Sequence, residues 1–469
     1  MVNGNLPPGW VWTTIGELFD VVGGGTPSTN VEKYWTGDIP WITSADIHGL
    51  EDIRPRKCIT EEAIISSATN LVPSGTIIVV TRVSLGKVAL TSFPICFSQD
   101  SQALLPKNGL VFSKYSLYYL SLISESFKYK SRGTTISGIP KKQLRDLPIP
   151  LPPLPDQERI VERIESLFTQ LDAGVAGLKR IKEALKRYKA SVLKAACEGR
   201  LVPQDPNDEP AEEMLKRLGK VPLDSYDLPE LPKGWCWATL KNVTEPIQKI
   251  NPKENPDKEF IYIDISSIDN NIQQIISPKY YIGADAPSRA RQLVNANDVL
   301  FSTVRTYLKN ISIVPEIYDK QVASTGFCVL RATSVTSGKY IFYFSQTDSF
   351  LNPLTELQRG TSYPAVRDSD VWEQSIPIPP FSEQERIVSV VEQHFSVIQE
   401  LEQTIDANLK RAGRLRQSIL KRAFEGKLVT PRVRATHTQT DETLESQPPA
   451  PDQPISSNTG SPQPAKSRK

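Results

Sequence analysis

The feature that most constrains this chain is a long segment that occurs twice. The first copy opens at Leu154-Pro-Asp-Gln-Glu-Arg-Ile160 and the second at Phe381-Ser-Glu-Gln-Glu-Arg-Ile387, each after a proline-rich lead-in. They end alike, at Ala196-Cys-Glu-Gly-Arg-Leu-Val202 and Ala423-Phe-Glu-Gly-Lys-Leu-Val429. The starts and the ends are separated by the same number of residues, so the two segments have equal length. A period this long does not fit a solenoid unit and indicates two copies of one module.

Apolar residues recur in both segments with the 4–3 spacing of a coiled coil, which predicts two long helices. At about 1.5 Å per residue, each helix would be roughly 60 Å long. The residues expected along the helix–helix seam of the first segment are Ile160, Ile164, Leu167, Leu171, Leu178, Ile181, Leu185 and Val192. Those of the second segment are Ile387, Val391, Ile398, Leu401, Ile405, Leu415 and Ile419. Two amphipathic helices on separate cores are the alternative, but a narrow apolar stripe better suits a partner helix.

The charges of the two segments predict how they pair. In each segment Asp and Glu dominate the first half, whereas Lys and Arg dominate the second half. Parallel pairing would set like charges beside each other, whereas antiparallel pairing sets acids beside bases along the whole length. Helices favour acids early and bases late by themselves, but only within their terminal turns. The pattern therefore predicts an antiparallel pair.

The ends of the segments carry their own signals. Asp156 in the first segment, and Ser382 with Glu385 in the second, predict N-terminal caps. Gly199 and Gly426 predict the left-handed residues that commonly end a helix.

The duplication extends into the regions before each segment. Leu6-Pro-Pro-Gly-Trp-Val-Trp12 returns as Leu231-Pro-Lys-Gly-Trp-Cys-Trp237, and Arg132-Gly-Thr134 returns as Arg359-Gly-Thr361. We therefore predict an α+β fold: two mixed α/β domains joined by a pair of long antiparallel coiled-coil helices, related by a pseudo-two-fold internal repeat. The expected divisions are residues 1–153 for the first domain, 154–202 for the first helix, 203–230 for a linker with one short helix, 231–380 for the second domain, 381–430 for the second helix and 431–469 for a disordered tail.

The composition argues against several functional classes. The five cysteines are scattered singly, so they predict neither disulfides nor a zinc site and they fit a reducing cytosol. Of the three histidines, His394 falls in the predicted seam and His437 in the predicted tail, which leaves no metal cluster or histidine-based triad. No apolar run approaches the ~18 residues that span a bilayer. We therefore expect a cytoplasmic chain with no membrane association, no metal, no cofactor of its own and no catalytic centre.

One glycine-rich loop invites a nucleotide-binding interpretation. Val21-Val-Gly-Gly-Gly-Thr-Pro-Ser28 lacks the Gly-Lys-Ser/Thr ending of a phosphate loop. A tight turn between strands is the better interpretation.

The remaining chemical signal is a set of cations and hydroxyls in loops that recur before each long helix. Because the net charge is only +2, any basic surface must be local. Cations and hydroxyls on a loop suit phosphate contact and base-edge reading, so we predict DNA binding there. A solvated charged face is the alternative for either loop alone. The candidate residues are Arg82, Lys87, Lys128, Lys130, Arg132, Thr134, Lys141, Lys142, Arg145, Arg305, Lys309, Arg359, Thr361, Tyr363 and Arg367.

Several of these motifs together resemble a known family. They are Gly24-Gly-Thr-Pro-Ser28 with Tyr34-Trp35 and Ile39-Pro-Trp41, the twice-occurring proline to Gln-Glu-Arg-Ile junction, and the Glu-Gly-Arg/Lys-Leu-Val endings. Over roughly residues 6–430 the chain resembles the specificity subunit of type I restriction–modification systems. The junction, present twice, is the most specific part of the match.

The resemblance implies a non-catalytic, sequence-specific DNA-binding subunit. Its two globular parts would be target recognition domains, each reading one half of a bipartite asymmetric site in double-stranded DNA. The helices would form an antiparallel spacer that docks two methyltransferase subunits, which restriction and translocase subunits then join. S-adenosylmethionine, ATP and Mg²⁺ would be bound by those partners. Two alternatives stay open: the specificity subunit of a smaller combined methyltransferase–nuclease system, and a coiled-coil scaffold that does not bind DNA.

Overall fold

Two domains lie at opposite ends of a pair of long helices. The computed structural model describes residues 6–107, 109–131, 138–224 and 228–429. Domain 1 precedes the first long helix and domain 2 precedes the second. No helix in the described part of the chain is both long and apolar enough to cross a membrane.

Domain 1 is a mixed α/β unit. Its strands are β1 (Val11–Thr14), β2 (Phe19–Gly23), β3 (Ile39–Ile42), β4 (Lys57–Ile59), β5 (Ile77–Val80), β6 (Val88–Leu90), β7 (Cys96–Phe97), β8 (Ser101–Pro106) and β9 (Pro148–Leu151). Its helices are α1 (Ile15–Leu18), α2 (Glu61–Ile65), α3 (Ser113–Ser131) and α4 (Lys141–Arg145), with 3-10 turns at Glu32–Trp35 and Ser44–Asp46. The first long helix, α5, spans Leu154–Cys197 and is followed by α6 (Ala211–Arg217).

Domain 2 repeats this plan. Its strands are β10 (Cys236–Thr239), β11 (Thr244–Glu245), β12 (Glu259–Ile263), β13 (Ile268–Asp269), β14 (Gln274–Ile275), β15 (Lys279–Ile282), β16 (Ala290–Val294), β17 (Val299–Ser302), β18 (Ile311–Ile313), β19 (Gln321–Ser324), β20 (Phe327–Ala332) and β21 (Ser375–Ile378). Its helices are α7 (Leu240–Val243), α8 (Gly338–Phe344), α9 (Asp348–Glu356) and α10 (Asp368–Trp372), with 3-10 turns at Pro252–Glu254, Ile265–Ser267, Gly283–Asp285, Thr306–Leu308 and Glu316–Tyr318. The second long helix, α11, spans Phe381–Phe424.

The sheets of the two domains correspond. Domain 1 has an antiparallel sheet in the order β2-β8-β5-β6, and domain 2 has its counterpart in the order β11-β20-β17-β18. A second sheet in each domain contains one parallel pair, β3 with β7 in domain 1 and β12 with β19 in domain 2. The duplication seen in the sequence is therefore a duplication of fold.

Strand β5, in the interior of the antiparallel sheet of domain 1, is apolar throughout because it is covered on both faces. In β5, Ile77 and Val79 enter a core shared with the long helices, while Ile78 and Val80 enter a separate core. Strands buried on both faces have continuous apolar runs rather than an alternating pattern.

The long helices pair antiparallel, as the charge pattern predicted. Lys182 Nζ lies 2.5 Å from Asp406 Oδ1, and Arg416 forms an ion pair with Asp172. Residue numbers thus rise along one helix as they fall along the other. Each helix has 44 residues, which corresponds to roughly 65 Å.

Each long helix belongs to the cores of both domains. The first turns of α5, with Ile160 and Ile164, pack in the core of domain 1 together with Ile419 and Phe424 at the end of α11. The same exchange occurs at the other end, where the last turns of α5 and the first turns of α11 share the core of domain 2. The pair is therefore fixed to both domains by both of its helices.

The repeated glutamine of the junction is a structural residue. Gln384 is fully buried, and its amide oxygen accepts hydrogen bonds from Ser337 N at 2.8 Å and Thr336 Oγ1 at 3.2 Å. Its amide nitrogen donates to the carbonyls of Val335 and Pro379, both at 3.0 Å. Gln157 is equally buried and makes the corresponding bonds to residues 110, 112 and 152. The motif therefore locks each helix to the domain that precedes it.

As predicted, both long helices are terminated by a glycine in the left-handed conformation. The predicted N-terminal caps, by contrast, are wrong. Gly199 has φ +66° and Gly426 has φ +69°, and a side chain at either would strike a proline of the Leu-Pro-x-Gly-Trp motif. The helices begin after Pro153 and Pro380, without a side-chain cap. Ser382 instead donates to Asp208 at 2.5 Å. The residue at the N-cap position of each helix is a proline, whose ring has no oxygen to accept a hydrogen bond from the first helical N–H groups.

Residues 203–224, which the sequence indicated as linker, lie against domain 2. In α6, Ala211, Met214 and Leu215 are buried in the domain 2 core. Asp208 also pairs with Arg386 on α11, with 2.5 Å between Oδ2 and Nη2.

Candidate nucleic-acid interface

In domain 2 two loops meet to form one surface. The first, residues 303–309, follows β17, and the second, residues 359–366, precedes α10. Val366 N donates to Thr303 O at 2.9 Å, and Val304 and Ala365 form a β-bridge. Arg359 and Ala365 exchange backbone hydrogen bonds, which closes the second loop on itself. The structure thus brings together the predicted residues Arg305, Arg359, Thr361 and Tyr363.

Three of these side chains are exposed, and the fourth makes contacts within the loops. Arg359, Thr361 and Tyr363 are exposed. The guanidinium of Arg305 instead stacks on the ring of Tyr363, with Cζ 4.7 Å from the ring centre, and donates to the carbonyl of Ser362 at 2.9 Å. Arg367 is exposed at the start of α10.

The same two loops approach each other in domain 1. Ile139 N donates to Thr81 O at 2.8 Å, as Val366 does to Thr303 in domain 2. Arg82 is exposed beside this contact. The predicted residues Arg132 and Thr134 lie outside the described residues, and so do the side chains of Lys128 and Lys130 at the end of α3.

Helix α4 supplies the basic surface of domain 1. All three of its cations are exposed: Lys141, Lys142 and Arg145. The corresponding helix of domain 2, α10, carries Asp368 and Asp370 instead, and burial raises the pKa of Asp368. A basic helix at this position is therefore a property of domain 1 and is not repeated in domain 2.

Two predicted cations are bound within their own domains. Lys87 Nζ donates to the carbonyls of Ser44 at 2.8 Å and Ile47 at 2.9 Å, which satisfies the end of a 3-10 turn. Lys309 Nζ lies 3.2 Å from the Gln346 carbonyl and 3.3 Å from Asp348. Lys87 in particular acts as a structural link, because both of its contacts are to backbone carbonyls.

Two further exposed residues lie at the loop tips and were not among the predicted DNA-binding residues. Tyr307 is 53% exposed in the first loop of domain 2, and Val83 is 65% exposed in the matching loop of domain 1. Both lie close to a residue with positive φ, Ser84 next to Val83 and Arg305 two residues before Tyr307, a backbone feature that the sequence alone does not show.

The glycine-rich loop of domain 1 packs closely against neighbouring parts of the same domain. A Cβ on Gly25 would lie 2.3 Å from the backbone of Ala68, and the Gly25 carbonyl accepts a hydrogen bond from Trp41 Nε1 at 3.0 Å. The predicted tight turn between strands is nevertheless wrong, because β2 ends at Gly23 and the next strand begins only at Ile39, after a 3-10 turn. Across the described ranges, no group of His, Cys, Asp and Glu is arranged to hold a metal ion. Burial raises the pKa of the Cys96 thiol to about 11, which keeps that thiol protonated near neutral pH.

The helix pair itself presents an apolar strip. Three residues predicted for the seam are about half exposed instead: Ile181 at 51%, Leu401 at 44% and Leu415 at 48%. One heptad from Ile181 and Leu401 lie Tyr188 and His394, whose side chains meet across the pair at 3.1 Å. In the other heptad series Leu171, Leu178 and Leu185 are half-buried, and the remaining predicted members are buried: Ile164, Val192, Val391, Ile398, Ile405 and Ile419. The strip therefore runs along one edge of the seam, which a two-helix pair leaves open.

Two loop-bearing domains at opposite ends of an antiparallel helix pair define a double-headed class of binding protein. The family described as the type I restriction modification DNA specificity domain matches the chain twice, over residues 7–186 and 234–411. These stretches make up well over half of the sequence. The chain belongs to the type I restriction–modification DNA specificity family.

Several relatives match along nearly their whole length. The type I restriction enzyme MjaIX specificity subunit of Methanocaldococcus jannaschii is 27% identical over 443 residues, covering 91% of this chain and 95% of that protein. The EcoDI specificity subunit of Escherichia coli is 24% identical over 431 residues, covering 91% and 90%. A solved chain, from a structure on complex assembly and conformational transition of the type I R-M system, superposes with a TM-score of 0.66 at 20% identity. It covers 91% of this chain and 100% of that chain, which shows a common fold.

Proposed function

We propose that this chain is the DNA-specificity subunit of a type I restriction–modification complex, in which each domain reads one half of a bipartite asymmetric site. One observation carries the proposal. The two domains share their sheets, their junction glutamines and the contact between their two loops, yet the side chains on those loops differ. A frame shared by the two domains, with different loops at each end, suits two different DNA half-sites held at a fixed distance.

Methyl transfer belongs, in this proposal, to partner subunits that dock on the helix pair. The exposed strip with Ile181, Tyr188 and Leu401 supports this, because half-exposed apolar residues at heptad spacing suit packing by further helices. Two methyltransferase subunits would bind there, with S-adenosylmethionine in their own sites. Restriction and translocase subunits, which use ATP and Mg²⁺, would join that assembly.

Methylome sequencing tests the proposal. The chain would be expressed with the methyltransferase subunits proposed as its partners, in a host that lacks other DNA methylation. We expect one bipartite methylated motif that disappears when this chain is omitted. Replacing residues 1–146 with the first domain of another family member should change one half of the motif only. A change in both halves, or methylation by the purified chain with S-adenosylmethionine alone, contradicts the proposal.

A further inference from the structure

We infer that Arg305 is a positioning residue for the recognition loop of domain 2, and that it holds Tyr363 as a residue through which this domain selects its DNA sequence. The inference rests on the proposed DNA-reading function. It assigns the two side chains different roles, although both were candidates for direct DNA contact.

The contacts of Arg305 are directed into the protein. Its backbone is left-handed, with φ 50°, which is unusual for a residue with a side chain. Arg305 N donates to Pro364 O at 2.7 Å, and Nη2 donates to Ser362 O at 2.9 Å. Its Nε is buried and has no hydrogen-bond partner among the described residues. The guanidinium is thus held inside the loop by residues 362–364, away from a phosphate outside it.

Tyr363 is the outward-facing member of the pair. Its side chain is 71% exposed, while the ring accepts the Arg305 guanidinium at 4.7 Å. A cation–π contact of this kind restrains a side chain that would otherwise lose rotamer freedom only on binding DNA. The restrained ring offers an apolar edge and a hydroxyl group, the two kinds of contact that read base edges in a groove.

The rest of the surface does not depend on Arg305. The Val304–Ala365 bridge, the Val366–Thr303 hydrogen bond and the bond from Gln358 Nε2 to Thr306 Oγ1 at 2.5 Å fix the base of both loops. Removing the Arg305 side chain should therefore release residues 360–364 and leave the domain folded. This separation makes the role of Arg305 testable.

The salt dependence of binding distinguishes a positioning residue from a phosphate contact. Each lysine or arginine that neutralises a phosphate contributes about 0.9 to the slope of log K against log salt. A positioning residue changes the affinity for the correct sequence and contributes nothing to this slope. Arg359, an exposed cation on the same loop, is the matched control for phosphate contact.

The test uses the complex of this chain with its methyltransferase partner. Its affinity is measured at several salt concentrations for a duplex carrying the methylated motif and for a scrambled duplex. We expect Arg305→Ala and Arg305→Lys each to weaken binding to the motif by about tenfold, or about 1.4 kcal/mol. The affinity for the scrambled duplex and the salt slope should not change. Lysine retains the charge but cannot reproduce the flat guanidinium stack.

A double-mutant cycle tests whether Arg305 affects DNA selectivity through Tyr363. Tyr363→Ala should weaken motif binding as strongly as Arg305→Ala, and adding Arg305→Ala to Tyr363→Ala should have no further effect, because residues that act through one contact are not additive. Tyr363→Phe keeps the ring that stacks on Arg305 and removes only the hydroxyl group. Its loss of selectivity should therefore measure the contribution of that hydroxyl group. Melting temperatures close to that of the unaltered complex confirm that the variants fold. If Arg305→Ala fails to fold, Arg305→Lys and Tyr363→Ala carry the same test.

Three results would overturn the inference. The first is a salt slope reduced by about one in Arg305→Ala and restored in Arg305→Lys, which would make Arg305 a phosphate contact. The second is additivity of the two substitutions, and the third is an unchanged selectivity in Tyr363→Ala. If the unaltered complex does not distinguish the motif from the scrambled duplex, the proposed function itself fails, and that outcome is separate from these three.

Discussion

Paired insertions in the helices test whether their length sets the distance between the two DNA half-sites. Both ends of α5 and both ends of α11 are buried in domain cores. An insertion in one helix alone therefore cannot lengthen the pair, because the other helix still fixes the distance. Lengthening requires the same insertion in both helices at facing positions.

The geometry of the pair predicts which insertion works. Four residues in both helices add about 6 Å and about 40° of right-handed twist, since each residue adds about 1.5 Å and about 100°. Two base pairs add about 6.8 Å and about 70° in the same sense. Seven residues add about 10.5 Å but turn the pair by about 20° in the opposite sense, whereas three base pairs add about 10 Å and about 100°. The shorter insertion matches DNA far better, although the longer one preserves the heptads.

Methylome sequencing of the variants gives the answer. The insertions would follow Gly177 in α5 and Lys410 in α11, where a Cβ on Gly177 meets no other atom and Lys410 is exposed. We expect the four-residue pair to methylate the same half-sites two base pairs further apart. The seven-residue pair should fold but methylate poorly, and an insertion in α5 alone should keep the original spacing with a lower melting temperature. Full methylation at the original spacing by the four-residue pair would refute the helices as the ruler.

Three further predictions concern stability and DNA affinity. Gln384→Ala should lower the free energy of unfolding by about 2–4 kcal/mol in urea titrations, because it leaves buried backbone groups unpaired, whereas exposed Gln399→Ala should cost less than about 0.5 kcal/mol. Alanine at all three cations of α4 should weaken binding to every duplex and lower the salt slope by up to about three, and an unchanged slope would identify a solvated face. Burial raises the pKa of Glu383 above its ordinary value of 4.5, so the folded chain holds this proton more tightly than the unfolded chain, and stability should fall as the pH rises from 4.5 through the folded-state pKa. Glu383→Gln should remove that fall in melting temperature, and an unchanged profile would contradict it.

The parts of the fold that sequence predicted well are those determined by spacing within one segment. Heptad positions and charge halves predict long antiparallel helices, because both patterns describe the faces of a single helix. They do not predict which heptad series is covered by the partner helix. Ile181 and Leu401 have the same apolar spacing as buried Ile164 and Ile398, yet they are about half exposed in the helix pair.

The candidate site was less predictable because its contacts join distant parts of the chain. A lysine at position 87 has the same sequence signal as a phosphate contact, yet its partners are carbonyls about 40 residues earlier. The engagement of Arg305 depends in the same way on residues 362–364, more than 50 positions later. Composition and spacing identify a loop rich in cations, but they do not show which cations are already bound.

The sharing of both cores by both helices has a consequence for how the chain is made. Tyr115 and Tyr119 of domain 1 are covered by Phe424, with ring centres 5.1 Å apart in each case. During synthesis the ribosome releases those tyrosines about 300 residues before Phe424. At roughly 5–20 residues per second, domain 1 waits between about 15 and 60 s with an open aromatic surface. Domain 1 leaves the ribosome before domain 2 but completes its core only after α11 is made, and chains cut short by early termination expose that surface to aggregation and proteolysis.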